Sequence, residues 1–315
     1  MAQEAILGNR ARSRRRANSE ACYEYSDQAM PSPSAVPVLS DAKAVVIFGD
    51  SWAEDNANVT SGLFAGVQGW PTHLADAIGL PVAGNFAKGQ SESSGLHDQF
   101  EAAEEQLNLK GAPHWSDLLV VLHSGGNDFI GAEKNYNPFA RDNFWLAHCT
   151  WGFRKKAEEV LSNLRNFLLS LHARGCRRFL VSDLPFTSAV PALTVARLVR
   201  VNKRGRWMSM RVHEMLSAFS TSCMGSGAAC SVAFVSEVKA LERLAAVSGG
   251  CAGSASMTLF LKDAFHPSHE THRRLAEEHL ACLREQHAWE KAFPDDECNL
   301  DLNADVADET VDQQD

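Results

Sequence analysis

The stretch V45-V-I-F-G-D-S-W-A-E-D-N56 decides how this chain is read. A run of β-branched and aromatic residues stops abruptly on Gly49, Asp50 and Ser51. An apolar run this short, AVVIF over 44–48, fits a strand covered on both faces. A buried strand that ends on a glycine, an acid and a serine is either entering an ordinary turn or holding Ser51 where it can react.

Strands and helices alternate outward from that point. GWPTHLADAIGLP (69–81) has apolar residues on one helical face, and PVAGNF (81–86) reads as a short second strand. HDQFEAAEEQLNL (97–109) reads as a charged helix and DLLVVLH (117–123) as the strongest strand. RKKAEEVLSNLRNFLLSLHARG (154–175) carries Val160, Leu161, Leu164, Phe167, Leu168 and Leu171 at helical spacing. RRFLVSDLP (177–185) is the next strand, a long helix is expected over 195–220 with Gly205 weakening its middle, and SVAFV (231–235) is a fifth strand. A last helix follows HPS and runs to about residue 286. This order predicts an α/β protein with a parallel sheet and helices on both faces. Ligands then sit outside the C-terminal strand ends, which puts Ser51 and Asn127 at the same edge.

Composition bounds the rest. The 315 residues are 45% hydrophobic and 22% charged, enough for a sizeable core. A net charge of -9 argues against nucleic acid as a partner. The charge is uneven: five arginines and two glutamates stand in the first twenty residues, and nine acids with no Lys or Arg over 295–315. Residues 1–41, basic and then Pro/Ser-rich, and residues 291–315, acidic, read as disordered ends around a folded domain over 42–290. The N-terminus lacks the apolar stretch of a secretory signal. A soluble intracellular protein is expected, with the Arg-rich segment leaving organelle targeting open, and no run is long and apolar enough for a transmembrane helix. The eight cysteines form no C-x-x-C pair, so reduced thiols are the expectation.

A serine nucleophile needs a base, an orienter for it and donors for the oxyanion. DAFHPSHETH supplies Asp263 and His266 three residues apart, with Pro267 expected at the helix start. A tight loop there lets the carboxylate hold one imidazole nitrogen and leaves the other for Ser51. NFAKGQSES offers Gly89, whose backbone can approach a ligand closely. HSGGNDF places the Asn127 amide behind two glycines. The same residues also fit plain turns and a helix N-terminus. A metal hydrolase built on His266, His269 and His272 is a rival reading, although H-E-x-x-H is absent.

Taken in order, GDSW (49–52), NFAKGQS (85–91), GGND (125–128) and DAFHP (263–267) resemble the four blocks of the GDSL, or SGNH, hydrolase superfamily, over about residues 44–286. The resemblance implies a flavodoxin-like three-layer α/β/α fold with strand order 2-1-3-4-5. It implies Ser51 as nucleophile, His266 as base and Asp263 as its partner. Ser51, Gly89 and Asn127 become the oxyanion hole, with no metal and no cofactor. The implied substrate is a small-molecule carboxylic ester, lipid or acetylated sugar among them. Acyl transfer to an alcohol would use the same residues, and a non-catalytic binding protein would keep the same fold. The sequence departs from the family at Trp52, which replaces a leucine and either shapes the substrate pocket or packs in the core, and at Gln90 and Ser91. The aromatic segment 129–153, starting with Phe129, reads either as a pocket wall or lid or as a connection burying its own rings.

Overall fold

The computed structural model describes residue 39 and residues 41–109, 114–130, 150–195, 201–225, 227–247 and 259–284. All belong to one compact unit. The disorder expected for both ends, and residues 131–149 of the aromatic segment, lie outside the described residues.

Five parallel strands are ordered β2-β1-β3-β4-β5. They are β1 (Ala44–Gly49), β2 (Val82–Asn85), β3 (Leu118–His123), β4 (Arg178–Ser182) and β5 (Ser231–Val235). Every residue of β1 and β3 is buried, the physical meaning of their continuous apolar runs. The helices are α1 (Trp70–Ile78), α2 (Leu96–Leu109), α3 (Gly126–Ile130), α4 (Thr150–Ala173), α5 (Pro191–Val195), α6 (Val201–Gly225), α7 (Glu237–Val247) and α8 (His269–Arg284). α8 packs on α1 and α7, and α4 packs on α2 and α6, giving a helical layer on each face of the sheet. All six apolar residues picked out on α4 are buried. None of the helices is long and apolar enough to cross a membrane, among the described residues.

Two elements differ from the sequence reading. The long helix is described over Val201–Gly225, and its Gly205 is not a weak point: a Cβ there would fall 1.8 Å from the Phe186 carbonyl oxygen, so glycine is what lets α6 approach the chain after β4. Helix α7 was not expected. It starts one residue after β5, and Ser236 caps it by accepting the Lys239 N–H at 3.2 Å. Val238, Ala240, Leu241 and Leu244 form its buried face.

β1 and β3 pair in register, from Ala44 opposite Leu118 to Gly49 opposite His123. Their C-terminal ends coincide, and the turns that follow, carrying Ser51 and Asn127, leave the sheet side by side.

Candidate active site

The turn that carries Ser51 is built on backbone contacts. Gly49 has φ 148. The Asp50 N–H donates to the His123 carbonyl at 3.1 Å, and the N–H groups of Ala53 and Glu54 both donate to the Asp50 carbonyl at 3.1 Å. The Asp50 carboxylate accepts the Trp52 N–H at 3.1 Å. These bonds fix a tight turn that leaves Ser51 half-buried at the strand end.

Ser51 Oγ lies 2.7 Å from His266 Nε2. His266 Nδ1 is hydrogen-bonded to Asp263 Oδ2. The other oxygen of Asp263 accepts the N–H groups of Phe265 and His266, each at 3.0 Å. Between them Ala264 adopts φ 58, a left-handed conformation that costs a non-glycine residue on the order of 1–3 kcal/mol and wraps the loop around the carboxylate. Burial pushes the Asp263 pKa up. The hydrogen bonds and charge of His266 and the two N–H groups outweigh it and hold the carboxyl below its ordinary value. Pro267 is not in the helix: it bridges to Phe260, and α8 begins at His269 behind Ser268, whose Oγ accepts the Thr271 N–H.

Gly89 reaches the site because the Lys88 N–H donates to the Gly49 carbonyl at 3.0 Å. A Cβ on Gly89 would lie 3.0 Å from Glu54 Oε2 and 3.9 Å from Ser51 Cβ, so a side chain there would fill the space beside the nucleophile. Gln90 follows at φ 65, in a turn closed by the Ser91 N–H on the Lys88 carbonyl. Asn127, in the first turn of α3, donates from Nδ2 to the Ser91 carbonyl at 3.0 Å, and so joins the block carrying Gly89 to the block carrying Asn127. Asp128 fastens the same two segments, accepting the Ser93 N–H at 2.7 Å and its hydroxyl at 2.8 Å. Burial nevertheless pushes the Asp128 pKa up to about 6.

Two expected pocket residues are placed elsewhere. Trp52 is 2% exposed and stacks on His123 at 5.8 Å, with Phe265 edge-on. Phe129 is 1% exposed and packs against Phe153 and Phe186 at 5.0 and 5.1 Å. Both belong to the hydrophobic core, which corrects their assignment to the substrate pocket. The described ends of the aromatic segment thus turn inward. The metal reading fails on direction. His272 is buried and its Nδ1 accepts the Trp70 N–H at 3.2 Å, His269 packs edge-on against His73, and His266 faces Ser51. Among the described residues, no three His, Cys, Asp or Glu side chains are grouped to hold a metal ion.

Several residues at the site carry no motif. Gln99 on α2 clasps Gly49 from both sides: its Oε1 accepts the Gly49 N–H at 2.9 Å and its Nε2 donates to the Gly49 carbonyl at 2.7 Å. A signal existed, since Gln99 lies on the same helical face as Leu96, Phe100, Ala103 and Leu107, all buried. Phe64 packs edge-on against the His266 ring at 4.6 Å, with no signal beyond being apolar in a Gly- and Asn-containing loop. Beneath the nucleophile turn runs a buried chain of titratable groups. His123 lies 3.5 Å from Asp50 and 3.6 Å from Glu237, and its Nδ1 is hydrogen-bonded to the Ser182 hydroxyl at 2.7 Å. Glu237 is in turn 3.4 Å from His279. Burial raises the Asp50 pKa, against the opposing pull of His123. Asp183 accepts the Ser236 hydroxyl and the Glu237 N–H at the start of α7, and burial pushes its pKa up to about 6.

The family model described as GDSL-like Lipase/Acylhydrolase matches residues 45–279. A GDSL esterase/lipase of Arabidopsis thaliana is 25% identical over 170 residues, spanning 50% of this chain and 45% of that protein, so the chain covers about half the length of this curated relative. Among solved structures, a catalytic mutant of Axe2, an acetylxylan esterase from Geobacillus stearothermophilus, is 17% identical, covering 78% of this chain and 94% of that one at a TM-score of 0.44. TesA is also 17% identical, covering 75% and 94% at a TM-score of 0.38. The family match takes in the turns of Ser51, Gly89, Asn127 and His266 together with β1 from Val45 and the other four strands, and the chain belongs to the GDSL-like lipase/acylhydrolase family.

Proposed function

We propose that the protein hydrolyses carboxylic esters through an acyl-enzyme on Ser51. The observation that carries this reading is the line from Ser51 Oγ, 2.7 Å to His266 Nε2, and on through Nδ1 to Asp263. A carboxylate at Nδ1 accepts a hydrogen bond from that N–H and so keeps the proton on Nδ1, which leaves Nε2 as the bare nitrogen and the acceptor of the serine proton. The family's description as lipase and acylhydrolase, and that of the Arabidopsis relative as esterase/lipase, support an ester as the substrate class.

In this mechanism Ser51 Oγ attacks the ester carbonyl as His266 takes its proton. Negative charge moves to the carbonyl oxygen, where the N–H groups of Ser51 and Gly89 and the Asn127 amide are the candidate donors. One such donor contributes about 2.7–4 kcal/mol to the transition state. As the intermediate collapses, the bond to the alcohol oxygen breaks and His266 returns its proton there. Water, deprotonated by the same imidazole, then releases the acid. Asp263 keeps the tautomer and stabilises the imidazolium that forms twice per turnover.

Hydrolysis of p-nitrophenyl acetate by the wild type, Ser51→Ala and His266→Gln tests the reading. Activity is expected in the wild type, with a loss of at least about 10³-fold in either variant. Equal rates in all three folded proteins would discard it.

A further inference from the structure

Residues 54–68 leave the nucleophile turn as a closed excursion. Asp55 and Gln68 form an antiparallel bridge at its base. Inside it, the Asn56 N–H donates to Val67, and the Gly66 N–H to both Asn56 and Val59. The excursion lies against the triad histidine. Four groups surround that imidazole: Asp263 at Nδ1, Ser51 at Nε2, Phe265 edge-on at 5.0 Å, and Phe64 edge-on at 4.6 Å. Phe265 is buried, whereas Phe64 is half-buried. Beside it Leu63 and Val59 are 40% and 42% exposed, two of the four exposed large hydrophobic side chains among the described residues. Single exposed apolar residues are ordinary. Two of them in the loop whose Phe64 packs on His266 are not scattered in that way. The flank by Gly89 is different, with the Glu54 carboxylate lying over it.

This asymmetry has a chemical direction. In acylation the proton goes from Ser51 to His266 Nε2, and then to the alkoxide oxygen as its bond to the acyl carbon breaks, so the alcohol leaves neutral. The atoms attached to that oxygen must lie near Nε2, beside the imidazole against which the half-buried Phe64 packs. We infer that Phe64, Leu63 and Val59 form the subsite for the alcohol half of the ester, and that this half is apolar, an alkyl or aryl group rather than a polyol. The inference rests on the acyl-enzyme reading and adds to it the chemistry of the leaving group.

The test holds the acyl group constant. Methyl, hexyl, benzyl and glyceryl acetates are compared with the full-length wild type, Phe64→Ala and Leu63→Asp, and each protein is also labelled with a fluorophosphonate. The wild type is expected to favour hexyl and benzyl over glyceryl acetate at least tenfold in kcat/KM. Leu63→Asp should lose about tenfold on the two apolar esters, mainly through KM, with methyl acetate and labelling within twofold of the wild type, and Phe64→Ala, which also loses the packing on His266, should lose about tenfold more on the apolar esters than on methyl acetate. A wild type that prefers glyceryl acetate overturns the inference. So does an equal loss on every ester, which would mean that Phe64 acts only by packing against His266, and so does no change in either variant. A folded wild type that neither labels nor hydrolyses any acetate sinks the hydrolase reading itself, whereas normal labelling without alcohol preference sinks only the subsite.

Discussion

Gly49 and His123 meet backbone to backbone at the ends of their strands. A Cβ on Gly49 would lie 1.9 Å from the His123 carbonyl oxygen. The same carbonyl receives the Asp50 N–H at 3.1 Å. The contact needs a residue without a side chain, and it sets where the next two residues, Asp50 and Ser51, emerge. Gly49→Ala must push β1 and β3 apart at this point. We expect a stability loss of at least about 2 kcal/mol and a marked fall in esterase activity, read by chemical denaturation and by kcat.

Gln99 holds the same glycine by side chain. Gln99→Leu keeps the volume but leaves the buried Gly49 N–H without that acceptor. Each lost buried partner costs about 1–3 kcal/mol. The expected result is a lower denaturation midpoint together with a lower kcat at little-changed KM, because the perturbed element carries the nucleophile.

Asp263→Asn leaves the loop nearly isosteric but removes the charge that fixes the His266 tautomer. A fall of about 10⁴-fold in kcat is expected, with substrate binding retained. The pH dependence of folding should change too. The Asp263 pKa is held below its ordinary value, so the stability it contributes is present above the ordinary carboxylate range and is lost as pH falls through the folded value. Acid unfolding compared between wild type and Asp263→Asn measures this, and the variant should lack part of the wild type's loss at low pH.

Asp128 and Asp183 run the other way. Burial pushes both up to about 6. Their folded forms favour the protonated acid, so this contribution is fully present below the unfolded carboxylate pKa of about 3.9 and is lost as pH rises through about 6. The thermal midpoint is expected to decline between pH 4.5 and 7.5. Asp183→Asn removes one of these titrations and should show a smaller decline.

How much of this was legible in the sequence depended on how local each feature is. The β1 strand and its GDS end are one continuous run, and Asp263 and His266 are three residues apart in a single loop. The parallel order brought Ser51 and Asn127 to one edge, whereas the pairing of His266 with Ser51 was implied by the resemblance of the four blocks to a known family. Gln99 meets Gly49 from another element, and its place on the buried face of α2 showed burial but not its partner, while Phe64 meets His266 from a distant part of the chain with no signal beyond being apolar. Trp52 and Phe129 misled because an aromatic residue next to a motif looks alike whether it faces a substrate or the core. Only the packing of Trp52 on His123, and of Phe129 on Phe153 and Phe186, decides. Helix α7 was within reach, since Ser236 is an ordinary N-cap residue before an amphipathic run.

The central claim is that Ser51 becomes covalently acylated. Intact-mass measurement after exposure to a fluorophosphonate, with peptide mapping of the adduct, tests it most directly. The account predicts a single adduct on the peptide containing Ser51, absent from Ser51→Ala and slowed in His266→Gln. An adduct on another residue, or none on a folded wild type, would contradict it.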